Sequence, residues 1–600
     1  MADTEVYSEA VSPADEHSSG IWQGSWCGWA NSYNEDGVSL FVDGFVATHG
    51  VPDSIYRGAE TNCSRVIALY RQQGVDFVKF LRGSFAIALW DSLDRRLILA
   101  TDHLGTRSIY YSASHEPLAF ATHVGRLAGA PQIARTIDRN SLYFYLNHSC
   151  IPAPFTIYEE VRRLEPGQVL VHVKRQTTVR RYWDVAYHEQ NWSESEAAAN
   201  LHASVEDSVR FALSSGSPDI SEVGAFLSGG TDSSTVLGLL SKTAGECIKS
   251  FSVGFEEAAY NEIHYARVAA NHFKSKAYEY FVRPTEALQA IPDLAAIYDE
   301  PFSNSSAIPT FFCLKMAREA GVKVMFAGDG GDELYGGNER YVTEKVFTLY
   351  HRIPRALRFA IDGSVEFIPG FYPWRKVRNY VRKANQPAVE RFFAYQMYFR
   401  DRADEYFSDD FSESIEHEFP LEVPRRHYER AGDIAALNRL LYIDLKLAVS
   451  DNDLFKVNRM AETQGIQVRY PFLDPNVAEL AGKIPANLKV KGWSKRYIFK
   501  KAFGNLLPEE ILHKKKHGFG LPTGDWLRHD AGFRELARSL LLDPRSIQRG
   551  YFRKPALERL LKLHDEEKSS YYGSHIWTFM MLELWHRYHV DRVSSEPEKV

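Results

Sequence analysis

Short runs of alternating hydrophobic and polar residues recur between residues 21 and 190, a pattern typical of half-buried strands. Residues 91–95 (Asp-Ser-Leu-Asp-Arg) have the composition of a turn between two of these runs, and residues 64–73 have the period of a helix. The predicted strands cover residues 38–42, 84–90, 96–100, 108–111 and 168–172. The first third of the chain is therefore expected to form stacked antiparallel sheets with one or two helices.

From about residue 193 the pattern changes, and helical periods alternate with short apolar runs. The predicted elements are helices at 193–214, 263–273 and 309–320 and strands at 223–227, 248–253, 277–281 and 323–327. Strands that alternate with helices indicate a parallel sheet with helices on both faces. From residue 341 to about residue 590 we expect one continuous helical subdomain packed on that sheet, with a break at the proline-rich residues 420–424.

The length and charge of the chain limit its domain number and its partners. The chain has 600 residues, more than one hydrophobic core normally serves, which indicates two or three domains. The change of pattern places the first domain at residues 1–195 and the second at residues 196–600. Lys and Arg number 71 and Asp and Glu number 77, so the net charge of −6 gives no general attraction to nucleic acids or anionic membranes. Neither partner is expected.

The chain shows no signal for export or for membrane insertion. No apolar run approaches the ~18–20 residues of a membrane span, and residues 1–20 lack the basic start and apolar stretch of a secretory signal. The five cysteines are scattered without a Cys-x-x-Cys pair, which disfavours a disulfide framework and a zinc site. A reducing, cytoplasmic location is expected.

Residues 226–234 (Phe-Leu-Ser-Gly-Gly-Thr-Asp-Ser-Ser) join a predicted strand to a predicted helix and form the most informative motif of the chain. Gly229 and Gly230 let several backbone N–H groups point toward one place, and the helix N-terminus adds positive potential there. A carboxylate in such an anion-binding loop, Asp232, is consistent with a magnesium ion that joins it to phosphates. The loop lacks the Gly-x-x-x-x-Gly-Lys pattern and resembles the PP-loop of ATP enzymes that release pyrophosphate.

Residues 328–337 (Gly-Asp-Gly-Gly-Asp-Glu-Leu-Tyr-Gly-Gly) form a second loop, with three carboxylates and five glycines. Acids at this density repel each other unless a cation joins them. The loop follows the predicted strand at 323–327, and ligands of parallel sheets bind beyond the carboxyl ends of the strands. We therefore expect Asp332 to complete, with Asp232, a magnesium site that bridges the phosphates of ATP.

Together with further stretches, these two loops resemble the asparagine synthetase family. The further stretches are residues 252–255 (Ser-Val-Gly-Phe), 299–302 (Asp-Glu-Pro-Phe), 469–474 (Arg-Tyr-Pro-Phe-Leu-Asp) and 514–519 (Lys-Lys-Lys-His-Gly-Phe). The similarity covers roughly residues 80–590. It implies an α+β, Ntn-hydrolase-like sandwich, followed by an α/β PP-loop ATP pyrophosphatase domain with a helical C-terminal extension.

The resemblance also implies a site for ATP and Mg²⁺ in the second domain. By this resemblance, pyrophosphate would be held by Ser228, Gly229, Gly230 and Ser233, adenine would be lined by Phe226, Val253 and Gly328, and magnesium would be bound by Asp232 and Asp332. The implied reaction activates a carboxylate as an acyl adenylate, releases pyrophosphate and couples the acyl group to an amine.

The resemblance assigns three more residues to this chemistry. Lys516 stands where the family has the lysine that stabilises the adenylation transition state, although residues 514–515 are also lysines and a solvated basic run is the alternative. Asp329 stands where the family places a general base or a substrate-orienting residue. Asp453 lies with Asp451 in a segment similar to the wall of the acceptor site, where a helix cap or a surface acid is an equal alternative.

The first domain resembles the family's glutaminase, but in a degenerate form. Working members carry a cysteine nucleophile directly after the initiator methionine, whereas Ala2 follows Met1 here. Asp43 and Phe45 stand where the family has an Asn and a Glu that bind glutamine. Cys27 lies too close to Asp43 to replace the nucleophile, and its surroundings predict a strand with a buried thiol. Ammonia from glutamine is therefore not expected.

Family members without this nucleophile include enzymes that close lactams with an amine of the substrate itself. Asp329 replaces the tyrosine of β-lactam-forming members, and Gln467 replaces a Glu of asparagine-forming members. A lasso-peptide-type macrolactam cyclase is therefore favoured, which would join an Asp or Glu side chain of a precursor peptide to its N-terminal amine, alongside a partner protease. The alternative is an asparagine synthetase or related amidotransferase that uses free or partner-delivered ammonia.

Replacement of Asp232, Asp332 or Lys516 by alanine is predicted to abolish turnover, because each change removes a charge needed at the phosphates. We expect a loss of at least roughly 10²-fold in each variant, the size typical of one lost electrostatic group. Steady-state assays of AMP release measure this loss. Near-normal turnover in all three variants would contradict the mechanism.

Overall fold

The structure is a computed structural model that describes residues 30–56, 59, 61–216, 218–365, 374–514, 522–566 and 571–591. The N-terminal strands are β1 (Ala30–Glu35), β2 (Val38–Thr48), β3 (Leu81–Asp91), β4 (Arg96–Thr101), β5 (Tyr110–Ser112), β6 (Ala119–Ala121), β7 (Arg162–Arg163), β8 (Gln168–Val173) and β9 (Gln176–Arg181). The helices among them are α1 (Asn62–Gln73), α2 (Val124–Leu127) and α3 (Arg139–His148).

Strand β3 lies at the centre of the N-terminal part, because both of its faces are buried. The larger sheet is antiparallel with the order β1-β2-β3-β4-β8-β9, and a smaller sheet has the order β6-β5-β7. Phe85 and Ile87 of β3 pack in one cluster with residues of α1, whereas Ala86 and Ala88 pack with Phe120 of the smaller sheet. The alternation of side chains along β3 thus gives a layered sandwich of helix, sheet and sheet.

The second part begins with the long helix α4 (Glu194–Ser214), whose N-terminus is stabilised by a capping box. The Ser193 hydroxyl accepts a hydrogen bond from the Glu196 N–H (3.2 Å), and the Glu196 carboxylate accepts one from the Ser193 N–H (2.8 Å). The strands that follow are β10 (Val223–Phe226), β11 (Lys249–Phe255), β12 (Lys276–Val282), β13 (Val324–Phe326) and β14 (Gln467–Arg469). The helices between them include α5 (Thr231–Ala244), α6 (Ile263–Phe273), α7 (Pro284–Ile297), α8 (Ala307–Glu319) and α9 (Gly331–Tyr335).

These strands form one parallel sheet with the order β12-β11-β10-β13-β14. Strand β10 is central, with β11 on one side and β13 on the other. The chain therefore changes direction across the sheet next to β10, and a crevice at such a switch point is where ligands of parallel sheets bind. The loops after β10 and β13 both lie at this point.

The C-terminal part is mainly helical. Its helices are α10 (Glu339–His351), α11 (Arg355–Val365), α12 (Trp374–Ala384), α13 (Ala388–Phe393), α14 (Ala403–Tyr406), α15 (Asp409–Glu413), α16 (Phe419–Arg430), α17 (Ala436–Asp444), α18 (Leu454–Thr463), α19 (Pro475–Lys483), α20 (Ala486–Lys489), α21 (Tyr497–Phe503), α22 (Glu509–His513), α23 (Thr523–His529), α24 (Ala531–Leu541), α25 (Pro544–Gln548), α26 (Lys554–Glu566) and α27 (Tyr571–His586). A π-helix, Leu445–Asp453, joins α17 to α18.

Two expectations for the C-terminal part are wrong. The part is not entirely helical, because β14 pairs with β13 and completes the parallel sheet. The prolines of residues 420–424 do not interrupt the helical structure, because they lie within α16. Pro420 occupies the first turn of that helix, where a missing N–H leaves no hydrogen bond unmade.

The predicted fold class is confirmed, with a sandwich first and a parallel α/β sheet with a helical extension second. The division at residue 195 stays a prediction. One hydrophobic core runs through both parts, since it includes Leu104 and Tyr110 of the first and Val468 of the second. In the described ranges no helix is long and apolar enough to cross a membrane, and the described cysteines, Cys63, Cys150, Cys247 and Cys313, are free.

The contact between α19 and the segment before α4 generates a stability prediction. A Cβ atom added to Gly482 would overlap the backbone carbonyl of Ala186. Gly482→Ala is therefore expected to lower the free energy of unfolding by about 1–3 kcal/mol, as overpacking does. Gly363→Ala is the matched control, since Gly363 lies in α11 with open space around it. Urea denaturation measures both, and equal midpoints would contradict the prediction.

Candidate functional site

The loop after β10 is shaped to bind an anion. Gly229 has a φ of +69°, and a Cβ atom there would overlap the backbone of Tyr265, so only glycine is accommodated. The Ser228 and Ser233 hydroxyls lie 3.1 Å apart, and the Ser228 N–H donates to the Ser233 hydroxyl (3.2 Å). Gly230 caps α5, so the N-terminus of that helix points into the same loop. Backbone donors, hydroxyls and a helix dipole converge as phosphate requires.

The loop after β13 touches this first loop. A Cβ atom added to Gly328 would lie 2.8 Å from the backbone nitrogen of Ser233 and 2.9 Å from the carbonyl carbon of Asp232. The absent side chain is what permits this approach. The structure therefore brings the two loops into one site, as the spacing of the strands predicts.

Asp232 and Asp332 converge on one cation, the guanidinium of Arg496. Nη1 of Arg496 lies 2.7 Å from Oδ2 of Asp232 and 3.0 Å from Oδ1 of Asp332, and Nη2 also bonds to Asp232. Arg496 is 6% exposed, so these charges meet with little water. Burial opposes the charge of Arg496, but the two carboxylates hold its pKa above the usual range.

The two carboxylates of the site fit a magnesium ion that is bound together with phosphates. No group of three or more His, Cys, Asp or Glu side chains within the described residues is placed to hold a metal on its own. Magnesium is usually bound by one or two carboxylates together with phosphates of the substrate. Asp232 and Asp332, already joined by one positive group beside a phosphate-type loop, fit that pattern.

Arg496 is not among the site residues that the sequence motifs predict. It is one of several basic residues between positions 489 and 501, and nothing in their order marks it. It has a left-handed backbone (φ 55°, ψ 34°) just before α21, which turns its side chain toward loops that are 164 and 264 residues away in the chain. Such a contact between distant segments carries no local signal.

Asp329 lies beside the acceptor-site residues that the sequence predicts. Burial, followed by the negative charge of Asp453, raises the pKa of Asp329 to about 6, while the charge of Lys456 opposes this effect. The Lys456 ammonium donates to the Asp453 carboxylate (2.8 Å). The structure thus brings Asp329 and Asp453 together, and gives Asp329 a pKa suited to a general base near neutral pH.

The predicted adenine-site residues lie at the carboxyl ends of three neighbouring strands. Phe226 ends β10 and is half-buried, Val253 lies on the adjacent β11 and is 9% exposed, and Gly328 follows β13. Backbone atoms of all three strands therefore border the crevice beside the anion-binding loop. Their role in binding stays a prediction.

Lys516 lies outside the described residues. The described chain before it ends at Lys514, whose ammonium lies 3.0 Å from a carboxylate oxygen of Glu262 and 3.3 Å from the carbonyl oxygen of Gly229. The lysine run therefore begins against the anion-binding loop.

Asp43 and Phe45, at the two positions that the resemblance assigns to glutamine binding, present a carboxyl group and an aromatic ring. Asp43 is buried, and burial raises the pKa of its carboxyl even though Arg107 lies 3.9 Å away and opposes the shift. The Phe45 ring lies against the Arg469 guanidinium, 5.0 Å from ring centre to charge centre, and near Phe211. Ala2 and Cys27 lie outside the described residues.

Comparison with known protein families gives two matches. Residues 200–587 match the model described as asparagine synthase, and residues 56–183 match the model described as glutamine amidotransferase domain. The first match alone covers more than half of the chain. The resemblance read from the motifs is therefore confirmed at the level of the family, whereas the lasso-peptide subtype stays a prediction.

Curated relatives align with most of the chain. Asparagine synthetase [glutamine-hydrolyzing] 1 of Bacillus subtilis is 26% identical over 542 residues, which cover 89% of this chain and 83% of that protein. A putative asparagine synthetase [glutamine-hydrolyzing] of Mycobacterium bovis is 27% identical over 538 residues, with 88% and 79% covered. Amidase chry2 of Gibberella zeae is 22% identical over 508 residues, with 78% and 73% covered.

The raised pKa of Asp329 generates a pH prediction. A general base works only when it is deprotonated, so the rate of AMP formation is expected to be highest above pH about 6 and to fall about tenfold per unit below it. Asp329→Asn should lower the rate by roughly 10²–10⁴-fold and remove this acid limb. A pH–rate profile of both proteins measures the effect, and an acid limb that persists in Asp329→Asn would exclude Asp329 as the base.

Proposed function

The chain belongs to the asparagine synthase family, and from this premise we propose a lasso-peptide-type macrolactam cyclase as its specific function. Members of this family are ATP-dependent carbon–nitrogen ligases, and this chain is an enzyme of that class. The proposed substrate is a peptide that carries both the carboxylate and the amine. The proposal rests chiefly on the altered glutamine site.

In the first half-reaction a carboxylate oxygen of the substrate forms a bond to the α-phosphorus of ATP, and the bond to pyrophosphate breaks. The loop at residues 228–233 would hold the pyrophosphate through its N–H groups and hydroxyls. Asp232 and Asp332 would bind magnesium, which supplies positive charge to the phosphates when bound. Lys516 would stabilise the charge that develops in the transition state.

In the second half-reaction the amine nitrogen forms a bond to the acyl carbon, the bond from that carbon to the phosphate oxygen breaks, and AMP leaves with the oxygen. The amine must lose a proton in this step, and Asp329 would accept it. Its raised pKa makes it a base of suitable strength near neutral pH. Asp453 and Lys456, which lie beside Asp329, would orient the acceptor.

The altered glutamine site decides which amine is proposed. A glutamine amide needs polar partners, but Asp43 stands in place of an Asn and Phe45 in place of a Glu. The Phe45 ring packs against Arg469, so it offers an apolar face where a carboxylate would bind an ammonium group. This chain therefore offers a carboxyl group in place of an amide at position 43 and an aromatic ring in place of a carboxylate at position 45, which supports an amine from another source.

An amine within the same peptide satisfies this requirement most directly. Joining an Asp or Glu side chain to the N-terminal amine closes a ring. An enzyme that holds both ends of the peptide together removes the entropy cost of bringing two reactants into contact, which is worth up to ~7–11 kcal/mol of the barrier. A ribosomal precursor peptide and a protease that frees its N-terminus would then be the partners.

One observation favours a second candidate. The relatives of Bacillus subtilis and Mycobacterium bovis carry the name asparagine synthetase and align over nearly the whole chain. Asp329 also suits an enzyme in which ammonia is the nucleophile. An asparagine synthetase that uses free or partner-delivered ammonia is the alternative function.

The two functions predict different requirements for AMP release. Purified protein is incubated with ATP and Mg²⁺, either with a candidate precursor peptide or with L-aspartate and ammonium chloride. The cyclase predicts AMP release with the peptide alone and a product lighter by one water. AMP release only with aspartate and ammonium would select the alternative.

Two controls keep this assay specific. Asp332→Asn should release no AMP with any substrate, because it removes a carboxylate that would bind the metal. L-Glutamine in place of ammonium should give no product in either case, and an amide formed from glutamine would contradict the inference from Asp43 and Phe45.

A further inference from the structure

The segment that carries Asp453 is held by the N-terminal part of the chain. This segment comprises the π-helix Leu445–Asp453 and α18. Three of its polar side chains donate to backbone carbonyls of the first part. The contacts are Ser450 Oγ to Leu104 O (2.7 Å), Asn458 Nδ2 to Thr106 O (2.5 Å) and Arg459 Nη2 to Thr122 O (2.9 Å). The glutaminase-like part thus contacts the synthetase segment along its length.

A buried ion pair between Arg163 and Asp451 adds to these contacts. Nη2 of Arg163, which ends β7, lies 2.6 Å from Oδ1 of Asp451 and also donates to the Ile151 carbonyl (3.0 Å). The Ala153 N–H donates to the same carboxylate oxygen (3.3 Å). Both side chains are nearly inaccessible, at 5% and 6% exposure. A charge-assisted pair shielded in this way has a defined geometry.

Each side chain of the pair balances the buried charge of the other, which would be unfavourable without a partner. Burial raises the pKa of Asp451 to about 6, and the Arg163 charge opposes this shift. Without Arg163, the Asp451 carboxylate would have to take up a proton or move toward water. Either change would displace the π-helix that contains Asp451.

Displacement of the π-helix would reach the acceptor site directly. Asp453 follows Asp451 by two positions and accepts a hydrogen bond from Lys456, next to Asp329. A π-helix is rare and occurs mostly as a single turn, so a π-helical stretch of nine residues requires support from its surroundings. The N-terminal part supplies much of that support.

We propose that Arg163 is a positioning residue for the amine-coupling half-reaction, and that the glutaminase-like part contributes it. Arg163 acts through Asp451 on the Asp453–Lys456 pair, and its side chain donates to Asp451 and to the Ile151 carbonyl, away from the anion-binding loop. The inference rests on the proposed function, since it concerns the coupling step of that reaction. It assigns the degenerate domain a role that does not require glutamine.

Arg163→Met, Arg163→Lys and Arg162→Met test the proposal. Arg162 is the matched control, because it lies next to Arg163 on β7 but its guanidinium rests over the Phe155 ring, 5.4 Å from the centroid. Hydrogen–deuterium exchange of the full chain without substrate is the first readout. Arg163→Met should speed exchange at residues 445–463 at least several-fold and leave residues 226–244 unchanged, whereas Arg162→Met should match the wild type.

The second readout separates the two half-reactions. ATP–pyrophosphate exchange reports carboxylate activation, and AMP release with the candidate peptide, or with L-aspartate and ammonium chloride, reports coupling. Arg163→Met should lose at least about tenfold in coupling, by an effect on kcat of the kind expected for misplaced groups, with pyrophosphate exchange within about twofold of the wild type. Arg163→Lys, which keeps the charge, should recover part of the coupling rate.

Three outcomes would overturn the proposal: unchanged coupling in Arg163→Met, equal losses in both half-reactions, or unchanged hydrogen exchange at residues 445–463. If Arg163→Met does not fold, the neutral double variant Arg163→Met with Asp451→Asn provides the same test without an unpaired charge. A wild-type protein without pyrophosphate exchange for any carboxylate would instead refute the proposed function, while the hydrogen-exchange result would still decide the positioning role.

Discussion

Repulsion between Asp232 and Asp332 is the constraint on which the rest of the structure depends. The two carboxylates come from loops at adjacent strand ends and meet where little water remains to screen them. A cation between them is therefore required, and the Arg496 guanidinium occupies that place. A metal ion carried by a nucleotide would satisfy the same requirement. The two carboxylates come together because β13 lies next to β10 in the sheet and because Gly328 approaches the backbone of Asp232 and Ser233 closely.

The same pairing of a buried carboxylate with a distant arginine recurs where the two parts of the chain join. Arg163 pairs with Asp451, and Arg107 lies between Asp43 and Glu462. These pairs sit in or beside a hydrophobic core shared by both parts. Buried pairs of this kind add little net stability but penalise any arrangement that separates the partners. The glutaminase-like part is thus fixed in orientation against the segment that carries Asp453.

Under the proposed function, activation of the carboxylate and supply of nitrogen are separate in this chain. Of the groups that the resemblance assigns to activation, Asp232, Asp332 and the loop at residues 228–233 lie together at the switch point of the parallel sheet, where Arg496 balances the two carboxylates. Phe45, at a position that the resemblance assigns to glutamine binding, packs with the Arg469 guanidinium and the Phe211 ring. Under the proposed function, the segment near Asp329 would determine the nucleophile.

Local patterns in the chain were enough to predict the sandwich, the parallel sheet and the two loops. The signals for these features are the period of the hydrophobic side chains and the glycines after the strands, and each signal spans only a few residues. They failed at β14, whose three residues are too short to show a period, and at Pro420, which a first helical turn accepts. They also failed at Arg496. Its contact with Asp232 joins positions 264 residues apart, and the pKa of Asp329 depends on burial that folding creates. Charge pairing and desolvation arise between distant segments, so they exist only once the chain has folded.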